Sequence, residues 1–76
     1  MAFDPNLDKQ LFKAEKQFDA TKIIVEIRSY NDGQPKAQIS RNNYRDDRWV
    51  FSKLGRLTKD EAEALNDMLK EVIAHF

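Results

Sequence analysis

From Lys22 the chain alternates with a period of two. Ile23, Val25 and Ile27 fall on one side, while Lys22, Ile24, Glu26, Arg28 and Tyr30 fall on the other. That period predicts a β-strand with one strongly apolar face and one mixed face. Asn31-Asp32-Gly33 follows, and these residues supply the positive-φ chemistry of a hairpin turn. A return strand over about 34–44 places Ala37 and Ile39 with the apolar set and Lys36, Gln38, Ser40 and Asn42 outward. Pro35 has no amide hydrogen to give to a ladder, so it belongs at the start of that strand or on an edge.

Arg45-Asp46-Asp47 reads as a polar turn, and a third strand runs from Arg48 to Leu57. It carries Trp49, Phe51 and Lys53 on one side and Val50 and Leu54 on the other, which leaves its buried face open. Gly55 predicts a bend or bulge near its end. Thr58-Lys59-Asp60-Glu61 then forms a capping box, in which Thr58 and Glu61 satisfy each other's amides at a helix start. Ala62, Leu65, Met68, Leu69, Val72, Ile73 and Phe76 recur at helical spacing in a stripe wide enough to cover a sheet and still offer surface to a partner helix.

The N-terminal segment has two readings. A short helix starts at Asp4 with Pro5 in its first position, or a flexible arm ends around Phe12 to Phe18 as an edge strand. The expected class is therefore α+β: an antiparallel sheet of three to four strands followed by one C-terminal amphipathic helix. Residues 1–20 form an arm or short helix, and residues 21–76 form the sheet-plus-helix domain.

Seventy-six residues make one small domain of marginal stability. Without cysteine, and with His75 as the single histidine, disulfides are excluded and a structural zinc site lacks ligands. Self-association remains as the stabilising route, so a homodimer is expected, formed by Leu65, Met68, Leu69, Val72 and Phe76 of the helix stripe. No apolar run reaches the roughly 20 residues that a bilayer requires. Met1 to Asn6 lacks the basic and apolar regions of a signal peptide, so the expected location is cytoplasmic, without membrane contact.

The net charge is zero, yet it is unevenly spread. Residues 1–19 carry −1, residues 20–56 carry +4 and residues 57–76 carry −3. A basic middle of this kind steers polyanions even in a neutral chain. Catalysis has little support, since there is no thiol and one terminal imidazole. Asp46-Asp47 reads as a solvated turn, and Asp60, Glu61 and Glu63 as the acidic first turn that helices favour. Gly33 and Gly55 are the only glycines, so no phosphate-binding glycine loop exists. No catalytic residue, metal or cofactor is expected.

Cations and aromatics together point instead to single-stranded nucleic acid, because lysine and arginine bind phosphates while aromatic faces stack on unpaired bases. The candidate cations are Lys22, Arg28, Lys36, Arg41, Arg45, Arg48, Lys53 and Arg56; the candidate stacking groups are Tyr30, Tyr44, Trp49 and Phe51. Lys22, Arg28, Tyr30, Lys36 and Tyr44 all fall on one face of the first two strands. Each has a plainer reading: Arg28 can pair with Glu26 or a cross-strand acid, and half-exposed tyrosines are common beside turns. The acidic helix makes a poor occupant of a duplex major groove.

Ser29-Tyr30-Asn31-Asp32-Gly33-Gln34-Pro35-Lys36, then Ile39, then Lys53-Leu54-Gly55-Arg56-Leu57-Thr58 running into Glu61, resembles the C-terminal domain of the transcriptional coactivator positive cofactor four and its short prokaryotic and phage relatives. The resemblance covers about residues 20–74. It implies a curved antiparallel sheet followed by one helix, a homodimer, and single-stranded DNA bound on the sheet with little sequence preference. By position it assigns Tyr30 to the first stacking aromatic and Lys22, Lys36 and Lys53 to basic contacts. The pattern departs where Ser40 precedes Arg41, where Tyr44 or Trp49 stands for the usual tryptophan, and where Leu54 precedes Gly55. A bulge would restore the match at Arg41, whereas plain alternation puts it on the core face.

The expected function is sequence-nonspecific single-stranded DNA binding in replication, recombination or transcription, with proteins of those processes as further partners. An RNA-binding module is the nearest alternative. A protein-interaction adaptor, docking a partner through the helix stripe and the Trp49/Phe51 patch, is the alternative from a different class.

Overall fold

Asp4 starts the described chain by capping a short turn. Its side chain accepts from the Asn6 amide at 3.0 Å, and Pro5–Leu7 closes one turn of 3-10 helix. The computed structural model describes residues 4–76; Met1 to Phe3, the start of the expected N-terminal arm, lie outside the described residues. Four strands follow, β1 (Asp8–Gln17), β2 (Thr21–Tyr30), β3 (Lys36–Arg45) and β4 (Arg48–Leu57), and then helix α1 (Lys59–Ala74). The sheet is an antiparallel meander in the order β1-β2-β3-β4.

Of the two readings of the N-terminal segment, the structure takes the strand, and makes it longer than Phe12 to Phe18. Asp8 pairs with Tyr30 and Gln17 with Lys22, and the register slips between Gln10 and Phe12. That bulge at Leu11 breaks the alternation, which is why a periodic pattern is faint there. The helix signal at Asp4-Pro5 is expressed only as the 3-10 turn.

The turns are made as their residues require. Asn31 and Asp32 take φ of 52° and 56°, and the Gly33 amide donates to Tyr30 O at 2.9 Å. Gly33 itself has no positive φ; its need is space, since a Cβ there would lie 2.9 Å from Tyr30 O. Asp46 and Asp47, at φ 53° and 61°, close a two-residue turn between the paired Arg45 and Arg48. Pro35 lies just outside β3, where no ladder bond is asked of it.

In an antiparallel ladder, directly opposed residues share a face. One face is thus Ile23, Val25 and Ile27 with Ala37 and Ile39, then Gly55 and Leu57 across β4. The other carries Lys22, Ile24, Glu26, Arg28 and Tyr30, opposed by Asn42, Ser40, Gln38 and Lys36. A second bulge, at Leu54, lets Lys53 oppose Ser40 while Arg56 opposes Gln38. Without that extra residue, Lys53 and Arg56 would point to opposite sides. Gly55 therefore sits beside an irregularity of the kind its presence suggested.

Burial runs against the simple expectation. On the polar face Glu26, Gln38 and Ser40 are buried, whereas Val25 and Ile27 on the apolar face are 39% and 38% exposed. Among the described residues, Ile24 is the one buried hydrophobic side chain. The capping box forms, with Glu61 N donating to Thr58 Oγ1 at 3.2 Å and Thr58 N to Glu61 Oε1 at 2.8 Å. Glu61 is correspondingly held below the usual carboxylate range by its bonds to Thr58. The helix turns Leu65 toward β3 and β4 but leaves Met68, Leu69, Val72 and Ile73 roughly half exposed.

Candidate nucleic-acid interface

Three stations line the polar face along its strands. At one end Tyr44 opposes Trp49, with ring centroids 5.3 Å apart and planes at 63°, an edge-to-face pair. Lys22 reaches over the Trp49 ring, its Nζ 4.4 Å from the centroid, in cation–π geometry. Trp49 keeps 36% of its surface exposed and Tyr44 45%. In the next row Phe51 opposes Asn42, which itself opposes Lys22, and is 57% exposed, with Lys53 two residues further on toward the middle of the same side. At the far end stand Tyr30 and Lys36. The Tyr30 hydroxyl accepts from the Asp4 amide at 2.9 Å, so the N-terminal turn is tied to this aromatic. From Lys22 to Tyr30 the track is about 26 Å long, at roughly 3.3 Å per strand residue.

Between the middle and far stations lies a bonded network of charge. Asp8 accepts from Arg28 Nη1 at 3.0 Å and from Arg56 Nη1 and Nη2 at 3.2 Å each, the latter a two-pronged contact. Arg28 Nη2 also donates to Glu26 at 3.0 Å, and Arg56 Nε to Gln38 Oε1 at 3.2 Å. The Asp8 and Glu26 side chains are each 9% exposed. The hydrogen bond from Arg56, with the positive charges of both arginines, holds the Asp8 carboxyl below its ordinary value against the opposing effect of burial. An open hollow of about 550 Å3 lies over this network, and Tyr30, Phe51, Lys53 and Pro5 contribute to its lining.

The sequence-predicted residues divide accordingly. Lys22, Arg28, Tyr30, Lys36, Tyr44, Trp49 and Lys53 share the polar face, with Phe51 and Arg56. Arg28 takes its plainer reading: it is spent on Glu26 and on a cross-strand acid. Arg41 opposes Ile23 and Ser52, which places it on the apolar face, as plain alternation requires; the bulge that would have turned it lies across the ladder, in β4. Arg45 and Arg48 oppose each other at the hairpin tip on that same side, flanking Asp46 and Asp47. These three arginines do not join the track.

Asp8 and Gln38 were not singled out in the sequence, though they organise the centre of the site. Asp8 reaches an arginine 48 residues away, and no local pattern signals such a partner. Of the helix positions, Leu65, Met68 and Leu69 line an apolar groove of about 580 Å3 between α1 and the sheet, together with Ile39, Leu54 and Leu57; Val72 and Phe76 border a separate hollow at the helix end.

Among the described residues, no helix is long and apolar enough to cross a membrane, and no group of three or more His, Cys, Asp or Glu side chains is placed to hold a metal. No protein-family model, no curated protein and no solved structure matches the chain.

Proposed function

We propose that this protein binds single-stranded nucleic acid, DNA in the first instance, along the polar face of its sheet. The observation that carries the reading is the convergence of Tyr30, Phe51, Tyr44 and Trp49 with Lys22, Lys36 and Lys53 on one side of one sheet. Exposed rings offer stacking worth about 1–3 kcal/mol per base, and the flanking lysines offer phosphate contacts. Backbone and π-face contacts of this kind are indifferent to sequence. The resemblance to the positive cofactor four domain favours the same reading, with service in replication, recombination or transcription. The reading includes neither catalysis nor a cofactor.

The binding unit is a homodimer in this proposal. A compact chain of this length has a radius of gyration of about 11 Å, against 14.3 Å here. One buried apolar side chain among the described residues does not make a core, while the apolar sheet face and the helix stripe both stand open. Two copies burying these surfaces against each other, across the groove beside α1, supply the missing core and leave the two polar faces outward. Sedimentation equilibrium tests this: Val72→Asp, at a half-exposed stripe position, is expected to yield monomer or unfolded chain. A wild-type monomer at micromolar concentration sinks the dimer.

The functional test is an anisotropy titration with a labelled oligo-dT of about 20 nucleotides, repeated at rising salt. The expected log–log slope is about −0.7 for each phosphate neutralised. Duplex of the same length should bind far more weakly, and a matched RNA oligomer decides between DNA and RNA. Absence of binding at low salt would refute the reading and leave the adaptor, whose docking surface is the helix stripe.

A further inference from the structure

The β3–β4 hairpin reaches past the rest of the sheet, and its two sides carry different chemistry. Thr21 with Asn43 is the last pair that β2 makes with β3, while β3 and β4 go on pairing as far as Arg45 and Arg48. The Tyr44 amide still donates to Ala20 O at 2.9 Å; beyond it stands a two-stranded tip, Arg45-Asp46-Asp47-Arg48. Successive strand residues face opposite ways. Tyr44 and Trp49 therefore lie on the polar side, and Arg45 and Arg48, one residue further out, lie on the other. The end of the stacking track and an arginine pair stand back to back on one narrow finger.

Arg45 and Arg48 are directly opposed, and like charges in that position repel. Both are exposed, and neither side chain makes a hydrogen bond or ion pair among the described residues. Asp46 and Asp47 lie between them in the chain, at φ of 53° and 61°, and form no ion pair with them. The acids of α1 offer no cover either. Glu63, Asp67 and Glu71 recur every four residues on the helix side opposite Leu65, Leu69 and Val72, so a second copy that buried its apolar stripe would turn them away. Two guanidiniums on one side of a narrow tip, without a counter-charge, suit a phosphate, which arginine grips with two parallel N–H groups.

We propose that the tip is a phosphate-contact site: a single strand stacked at Tyr44 and Trp49 crosses the end of the hairpin and places phosphodiesters on Arg45 and Arg48. It rests on the single-strand reading above and carries the bound path from one face of the sheet to the edge of the other. The strand then offsets a repulsion that the free protein carries, so binding and stability pull in opposite directions at this pair. Arg41 and Lys16 share the face but stand outside the crossing. Arg41 lies about 13 Å from Arg45, at roughly 3.3 Å per strand residue, and both Arg41 and Lys16 oppose Ile23 beside the apolar set.

The experiment is the anisotropy titration with labelled oligo-dT of about 20 nucleotides at rising salt, with Trp49 fluorescence read alongside. Arg45→Gln/Arg48→Gln is expected to weaken binding and to flatten the log–log slope by about 1.4, two phosphates' worth, while quenching of Trp49 at saturation is kept. Its melting temperature is expected to equal or exceed that of the wild type, because a like-charge pair is gone. Lys16→Gln/Arg41→Gln removes the same charge from the same face and is expected to leave the slope unchanged. Asp46→Asn/Asp47→Asn, whose new residues tolerate positive φ, is expected to tighten binding severalfold. The single arginine variants, each expected to lose about 0.7 of slope, carry the test if the double variant does not fold. A wild-type slope in folded tip variants overturns the site and leaves single-strand binding on the polar face standing, as does unchanged affinity in the asparagine variant. Equal flattening by the Lys16 and Arg41 pair also overturns it, since the effect would then belong to the overall field. Loss of the homodimer in the tip variant, read by sedimentation, would make the tip an interface between copies instead. Absence of binding by the wild-type protein overturns both readings.

Discussion

Trp49→Ala separates a stacking platform from a structural ring, and the geometry sets the size of both effects. In the free protein the ring contacts the edge of Tyr44 and the ammonium of Lys22. Removing it forfeits an aromatic pair worth about 0.5–1.5 kcal/mol and a cation–π contact of about 0.5–1 kcal/mol. Because the ring is 36% exposed, no sealed cavity follows, and the stability loss is expected near the sum of those contacts. For a domain of this size that corresponds to a fall in melting temperature of about 4–8 °C per kcal/mol. A base that stacks on Trp49 is worth about 1–3 kcal/mol, but it must first move Lys22 off the ring. The cation–π contact is then lost, so the net gain is about 0.5–2 kcal/mol, or roughly 2- to 30-fold in affinity.

The displaced Lys22 is available to a phosphate. Trp49→Ala is therefore expected to lower affinity at every salt concentration while keeping the log–log slope, whereas Lys22→Met is expected to flatten the slope by about 0.7. Circular-dichroism melting and anisotropy titration with labelled oligo-dT read the two consequences independently. A Trp49→Ala protein that melts early yet binds unchanged would refute the stacking assignment. Loss of slope without loss of affinity would show that the ring acts only by positioning Lys22.

Four further outcomes follow from the geometry. Gly55→Ala is expected to stabilise by about 0.4–1 kcal/mol, since its new methyl meets nothing within 4 Å and no positive φ is involved; Gly33→Ala, facing Tyr30 O at 2.9 Å, is expected to cost about 1–3 kcal/mol, both read by thermal melting. Ser40 is fully buried and its Oγ lacks a partner among the described residues, so Ser40→Ala should raise stability by about 1 kcal/mol, and a lower melting temperature would mean that the hydroxyl is satisfied. Asp8 titrates below its unfolded value of 3.8, so its contribution is fully present above that pH and is lost as pH falls through the depressed folded value; Asp8→Asn should reduce the slope of stability against pH in this acid window and leave it unchanged near neutrality, as acid-unfolding curves would show.

Much of the frame is legible in the residues themselves. Ile23, Val25 and Ile27 announce their strand because nothing interrupts the alternation, and Thr58 with Glu61 announces the helix because the box is local. Strand β1 is hidden because the Leu11 bulge shifts its period halfway along. The polar face could be assembled on paper from β2 and β3, where register follows from a turn. The centre of the site could not: it depends on Asp8 meeting Arg28 and Arg56 across the sheet, and on one extra residue in β4 that turns Arg56 toward them. Arg41 shows the converse. Parity places it on the apolar side and a bulge would turn it to the polar one, and the sheet follows parity.

The meander also governs the order in which the molecule is made. Every strand pairs with its neighbour in sequence through connections of three, five and two residues, so no long loop must close before contacts begin to form. Chains dominated by such local pairings cross their folding barrier quickly. The helix, which leans only lightly on β3 and β4, gains most from a surface its own chain does not provide. With the proposed homodimer, assembly is expected to divide into a fast unimolecular sheet-forming phase and a slower phase whose rate rises with protein concentration. Stopped-flow refolding at two concentrations should resolve the pair, and a single concentration-independent phase would mean that the helix settles on its own sheet.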